Sequence, residues 1–313
     1  MSASILNNRK FIPSAVAYGH LDYEILEPIS FDIHERVSDL EATLPEQILS
    51  AFEFVLDPVR TGRTKLSDLD NVEKTFVGLK VEHFIRNMLG APKGIRDLVL
   101  AGQNVDVKNT VGHNWAWMIP PETYKNDEPC LLVAFDEQRW KTWMGLFVAR
   151  LDYLGEPNRD GKRGILKASY QHILWLVEGA FLPRNRWEGV NMERFLQLRQ
   201  IHGGTLRAAT FFRENLGRPV HRSVLLSLLF DQLDPMKRLR GNGGAKDLLK
   251  GVGIALLSGA QRNNLLEKLG LPTIGLDEHI AVYPSSPAQR ELLICAGELC
   301  QRAPIFGQER MFG

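Results

Sequence analysis

The chain has 313 residues, 44% of them apolar and 24% charged, which suits one large folded domain or two ordinary ones and excludes a disordered protein. A net charge of +1 gives no compositional sign of a nucleic-acid partner, and no apolar run approaches the roughly 18 residues that cross a bilayer. Cys130, Cys295 and Cys300 are too few and too badly spaced for a disulfide framework or a zinc knuckle, and read as buried or idle thiols of a reducing compartment.

Met1 to Lys10 is polar, unlike a signal peptide, so the expected location is cytoplasmic. Residues 1–57 are acidic, with 3 Lys/Arg against 10 Asp/Glu, and their helical stretches are expected to break near Pro13, Pro28 and Pro45. EQILSAFEFVL (46–56) reads as helix, and Pro58 with the polar run RTGRTKLSDLD as a loop. Asp70 or Asn71 is placed to cap a helix reaching Leu89, with Val77, Val81, Phe84, Ile85 and Met88 as its apolar stripe and Gly90, Pro92 and Gly94 ending it. IRDLVLAG and QNVDVKNT then form a hairpin about Ala101–Gly102–Gln103. PCLLVAF (129–135) is a buried strand, WMGLFVAR (143–150) another, and the polar segment 155–169 an inter-domain connection.

The second half starts with amphipathic helices at NMERFLQLRQIH and TLRAATFFRENLG, then a third whose first turn holds Pro219. A basic, glycine-rich MKRLRGNGGAKDLLK follows, then a strand-like GIALLSG and a helix around NNLLEKLG. Residues 184–250 hold 13 Lys/Arg against 6 Asp/Glu, so a near-neutral chain contains one basic lobe, either a phosphate-attracting field or a solvated helix face. Short helices followed by strands suit a winged helix-turn-helix module. The expected division is a mixed-sheet α/β domain over 1–163 and a mainly helical DNA-contacting domain over 164–313.

Chemistry concentrates in the hairpin. Asp106 and Lys108, two apart on a strand, project from one face, and the hairpin returns Asp97 beside them. Carboxylates plus water suit a hard cation such as Mg²⁺, and a lysine there can position an attacking water and stabilise phosphorane-like charge. Glu82, at the edge of the preceding helix's stripe, is a further candidate ligand. A surface hairpin with alternating charges would give the same local pattern; the order of acidic helix, D…D-x-K hairpin and two apolar strands is that of a PD-(D/E)xK nuclease core.

At these residues the sequence resembles the NaeI-type restriction endonucleases. The matching stretches are RTGRTKLSDLDNVEKTFVGLKVE (60–82), AGQNVDVK (101–108), AWMIPPE (116–122), LGEPNRDGKR (154–163) and MKRLRGNGGAK (236–246). The resemblance implies a homodimeric Mg²⁺-dependent enzyme that cuts double-stranded DNA at a short palindromic site. It also implies a C-terminal helix-turn-helix domain that binds a second, activating DNA copy, and no organic cofactor. Carried over by position, the site falls on Glu82, Asp97, Asp106 and Lys108, with the Asp-x8-Asp-x-Lys spacing kept. Arg96 stands where the motif has proline, the Glu82–Asp97 stretch is slightly short, and Asn109 to Trp115 match poorly, which leaves the recognition sequence open.

The basic loop is the expected DNA contact, with Lys237, Arg238, Arg240, Asn242 and Lys246 beside the closely approaching backbone of Gly241, Gly243 and Gly244. It lacks the Walker A spacing. A glycine-capped helix end with solvated charges is the plainer reading. His113 is a minor candidate for DNA contact, while Trp115, Trp117, Trp140 and Trp143 read as core or interface. Two other readings stay open: a nicking or repair endonuclease of the same architecture, and a catalytically inert DNA-binding regulator.

Overall fold

The computed structural model describes residues 13–112 and 114–301. The chain divides into two units, residues 1–57 with 65–184, and residues 58–64 with 185–313.

Helices lead: α1 (Tyr23–Arg36), α2 (Leu40–Leu56), the single turn α3 (Pro58–Thr61) that belongs to the second unit, and α4 (Asn71–Leu89). The start of α4 is fixed by a capping box, in which Asp70 accepts from the Glu73 amide at 2.8 Å and Glu73 accepts from the Asp70 amide at 3.0 Å. Gly90, at φ +56°, ends it in the left-handed conformation that glycine adopts at least cost. Of the expected stripe, Val77, Val81 and Ile85 are buried, and Phe84 and Met88 pack on the same core.

Two prolines expected to break helices lie inside them, Pro28 in the second turn of α1 and Pro45 in the second turn of α2. An interior proline costs about 3 kcal/mol. Both helices offset that by burial, α1 through Leu26, Ile29 and Ile33, and α2 through Leu44, Ile48, Leu49, Phe52 and Pro45 itself.

The expected hairpin forms from β1 (Leu98–Leu100) and β2 (Gln103–Val111). Its loop is only two residues, Ala101 and Gly102, both at positive φ (+48° and +75°), the turn whose twist matches the paired strands. Next come β3 (Met118–Ile119), α5 (Pro121–Tyr124), β4 (Pro129–Asp136), β5 (Lys141–Val148), β6 (Leu154–Pro157), β7 (Arg163–Ile165) and β8 (Leu174–Phe181). The main sheet has the order β1-β2-β4-β5-β8; β2 and β4 run parallel and the other neighbours antiparallel. It is a mixed sheet flanked by helices, as expected.

Strand alternation assigns its two faces. Val105, Val107, Leu131 and Val133 join the core built with α1, α2 and α4. Cys130, Leu132 and Ala134 face a second core holding Trp117, Trp143, Trp175 and Tyr170, against which Trp115 packs. Every residue of β4 is therefore buried, which explains its unbroken apolar run. The tryptophans are core residues, as expected; the half-buried Trp140 donates its indole N–H to the Pro183 carbonyl.

The segment 155–169 is not a linker. It supplies β6 and β7, which pair with each other around a turn at Asn158–Gly161, and β7 pairs in turn with β3 inside the first unit. Glycine and charge at a hairpin tip look the same in sequence as glycine and charge in a connection. The units part after Arg184 rather than between 163 and 164.

The second unit contains α6 (Met192–Arg199), α7 (Gly204–Glu214), β9 (Pro219–His221), α8 (Arg222–Leu228), α9 (Ala245–Gly251), β10 (Ala255–Ser258), α10 (Gly259–Lys268), β11 (Glu278–Val282) and α11 (Pro287–Cys295). Its antiparallel sheet has the order β10-β11-β9. Pro219, expected in a first helical turn, instead opens β9, an edge strand where its missing N–H costs little. The helix starts three residues later, where the His221 ring accepts from the Ser223 amide. Arg207, 2% exposed, ties α7 to the end of α8 by a two-pronged pair with Asp231 (2.7 and 3.0 Å) and bonds to the carbonyls of Ile201 and Leu228. Among the described residues no helix is long and apolar enough to cross a membrane.

Candidate active site

The antiparallel register sets Leu98 opposite Val105, so the next pair along is Asp97 opposite Asp106, with side chains on one face. Asp106 and Lys108 share that face through the strand's period of two, opposite Cys130 and Leu132 of β4. Glu82 arrives from α4, which lies close against β2 because residue 78 is glycine. A Cβ there would stand 2.7 Å from Asn109 Oδ1, and the Asn109 amide donates to the Gly78 carbonyl at 3.1 Å.

The structure thus brings Glu82, Asp97, Asp106 and Lys108 together. Lys108 Nζ lies 2.5 Å from Asp106 Oδ1, and Asp97 Oδ2 accepts from the Val107 amide at 2.8 Å. The Asp97 carboxyl also lies against those of Glu82 and Asp106, close enough for a proton held on one to bond to the next. Burial, then the bond and the charge of Asp97, push the Glu82 carboxyl up to about 7 against the pull of Lys108. Burial likewise raises Asp106 despite Lys108 and Thr123. At Asp97 burial is outweighed by the Val107 amide, the neighbouring carboxyls and Lys108, so its pKa is lowered. Cys130, wholly buried across from Asp106, has its thiol pushed well up by burial and is inert.

One buried carboxylate, Asp106, and two half-buried ones face a single ammonium, a deficit of positive charge that a divalent cation would cancel, and oxygen donors of this kind suit a hard ion. Among the described residues no three His, Cys, Asp or Glu side chains are already arranged to hold a metal. Lys108 sits on one oxygen of Asp106 and Thr123 Oγ1 donates to the other at 2.8 Å, so a cation would compete with Lys108 for Oδ1. Sequence reasoning missed Thr123, and nothing in PPETY marks its hydroxyl as reaching a strand residue 17 positions earlier.

In the second unit Lys237 and Arg238 are exposed on a turn (Met236–Leu239), and Arg240 and Asn242 on the loop after it. Asn242 takes φ +60°, and a Cβ on Gly244 would meet the Arg240 carbonyl, so the glycines let the loop fold back on itself. The Gly243 amide of this loop donates to Asp247 Oδ2 at 2.7 Å. Lys246 turns inward and pairs with the buried Glu298 at 2.7 Å, as does Arg262. Arg240 and Lys246 line a cleft of about 400 Å³ with Arg222, Arg262 and His279, three residues that the sequence did not point to. His113 lies outside the described residues, as does the polar start Met1 to Lys10.

The sequence profile of the restriction endonuclease NaeI family matches residues 41–286. The chain is also 32% identical over 227 residues to the type II restriction enzyme NaeI of Lentzea aerocolonigenes, covering 69% of this chain and 70% of that protein. The chain belongs to the NaeI restriction endonuclease family. The NaeI match runs from the start of α2 past β11, so it takes in all four clustered side chains and the basic loop, while α11 and Glu298 lie beyond it.

Proposed function

We propose that this chain cuts both strands of DNA at a short palindromic site, using Mg²⁺ at the Glu82–Asp97–Asp106–Lys108 cluster, as a homodimer. As a NaeI-family restriction enzyme it is a site-specific deoxyribonuclease, and restriction endonucleases generally use divalent metal ions. The observation that supports the site is the convergence of three carboxyl groups and one ammonium on one face of the β1–β2 hairpin. In this reading Glu82, Asp97 and Asp106 hold the cation, and the Val107 amide fixes the orientation of Asp97. When bound, Mg²⁺ would polarise the scissile phosphoryl oxygen and acidify the attacking water. Lys108, steered by Asp106, meets the negative charge that builds on the phosphate in the transition state. Water adds to phosphorus as the bond to the 3′ oxygen breaks, leaving a 5′-phosphate and a 3′-hydroxyl.

The second unit, with helices, a three-stranded antiparallel sheet and the exposed Lys237, Arg238, Arg240 and Asn242, fits a winged helix-turn-helix-like module that holds a further DNA copy. A cytoplasmic site of action beside a matching methyltransferase belongs to the same reading. The test is incubation with plasmid and genomic DNA plus Mg²⁺, followed by sequencing of the ends. Discrete ends at one sequence are expected from the wild type and none from Asp106→Ala, which should still shift DNA on a gel. Cutting by Asp106→Ala would discard the site.

A further inference from the structure

The carboxylate of Asp106 is gripped at both oxygens, Oδ1 by Lys108 Nζ and Oδ2 by Thr123 Oγ1 at 2.8 Å. Thr123 has no exposure, so no water competes for the hydroxyl, and its single proton is committed to Asp106. A carboxylate otherwise turns freely about its last torsion, a broad sp³–sp² rotor. The threonine is itself fixed by a wrapped turn: its amide donates to the Pro120 carbonyl at 3.0 Å, and its carbonyl accepts from the Asn126 and Glu128 amides. That turn runs directly into β4, whose Cys130 pairs with Asp106.

The same turn is tied to the other acidic residue of the hairpin. Arg96, next to Asp97 and standing where the nuclease motif has proline, grips Glu128 with two nitrogens (2.5 and 3.2 Å) and the Glu122 carbonyl with one (2.6 Å). Its guanidinium therefore clamps both sides of the turn that presents Thr123. A rigid, charge-assisted fork here does by side chain what a proline would do by backbone restraint.

Resting on the reading of Asp106 as a metal ligand, we propose that Thr123 is a positioning residue, which sets the Asp106 carboxylate for the cation, and that Arg96 holds it in place. Outer partners of this kind change metal affinity by about 10- to 100-fold when removed.

The experiment titrates Mn²⁺ into the DNA-free full-length protein and follows loss of the free-ion paramagnetic resonance signal, alongside the Mg²⁺ dependence of plasmid cleavage and thermal melting. Thr123→Val keeps the volume and removes the hydroxyl; it should weaken Mn²⁺ binding and raise the half-saturating Mg²⁺ about tenfold. Thr123→Ser should restore both, which a mere packing role would not predict. Arg96→Ala, a partly exposed change that leaves the core intact, should move both readouts the same way by a smaller factor, and decides the matter if the valine variant does not fold. Wild-type Mn²⁺ binding in Thr123→Val or Arg96→Ala overturns the proposal, as does a serine variant as impaired as the valine. Asp106→Asn is run beside them. If it still binds Mn²⁺ and cuts DNA, the metal-site reading itself falls; if it alone loses both, only the role of Thr123 falls.

Discussion

Buried charge occurs in both units and does different work in each. In the second, the enclosed guanidinium of Arg207 is met by the exposed carboxylate of Asp231 and by two backbone carbonyls, so charge and donors are matched, and the cluster joins helices. At the β1–β2 hairpin Glu82, Asp97 and Asp106 outnumber Lys108, and burial together with the neighbouring Asp97 raises two of the carboxyls. A buried charge matched by its neighbours needs no ligand, whereas carboxyls that outnumber their cation must hold a proton or take up a cation. The exposed loop with Lys237, Arg238 and Arg240 is a third case, where water tolerates the imbalance and the charges act at a distance.

That contrast can be broken in order of expected effect. Lys108→Ala should lower plasmid cleavage on the order of a thousandfold while gel-shift affinity and melting stay near wild type, since the lost group acts on transition-state charge; a large drop in stability instead would make the hairpin cluster structural. Arg207→Met should do the reverse, costing about 2 kcal/mol in urea unfolding because it leaves the Ile201 and Leu228 carbonyls without their donor, with activity per folded molecule preserved at low temperature. Reversing Arg238 and Arg240 to Glu should weaken DNA binding and flatten its salt dependence by about one unit of slope per lost phosphate contact. An unchanged slope would place that loop outside the interface. Short duplexes carrying the target site should modestly accelerate cutting of a slow plasmid; a rate indifferent to duplex concentration would argue against a second DNA site.

Much of the site could be read without coordinates because its geometry is local. A period of two aligns Asp106 with Lys108, and a two-residue turn returns Asp97 opposite Asp106, so three of the four groups are fixed by one hairpin. Glu82 required more, since its approach depends on Gly78 letting α4 settle against Asn109. Arg96 was visible as a departure from the motif, but its grip on Glu128 spans 32 residues.

The sequence by itself determined the capped helix α4, the hairpin, the buried run of β4, the family and the four grouped side chains, because each follows from spacing of a few residues or from several motifs in order. Only the tertiary structure decided that Pro28 and Pro45 stay helical, that 155–169 folds back as a hairpin, that Pro219 opens an edge strand and that Thr123 meets Asp106. In each of these a local preference worth a few kcal/mol yields to burial or pairing with partners distant in the chain, and no local pattern reports such partners.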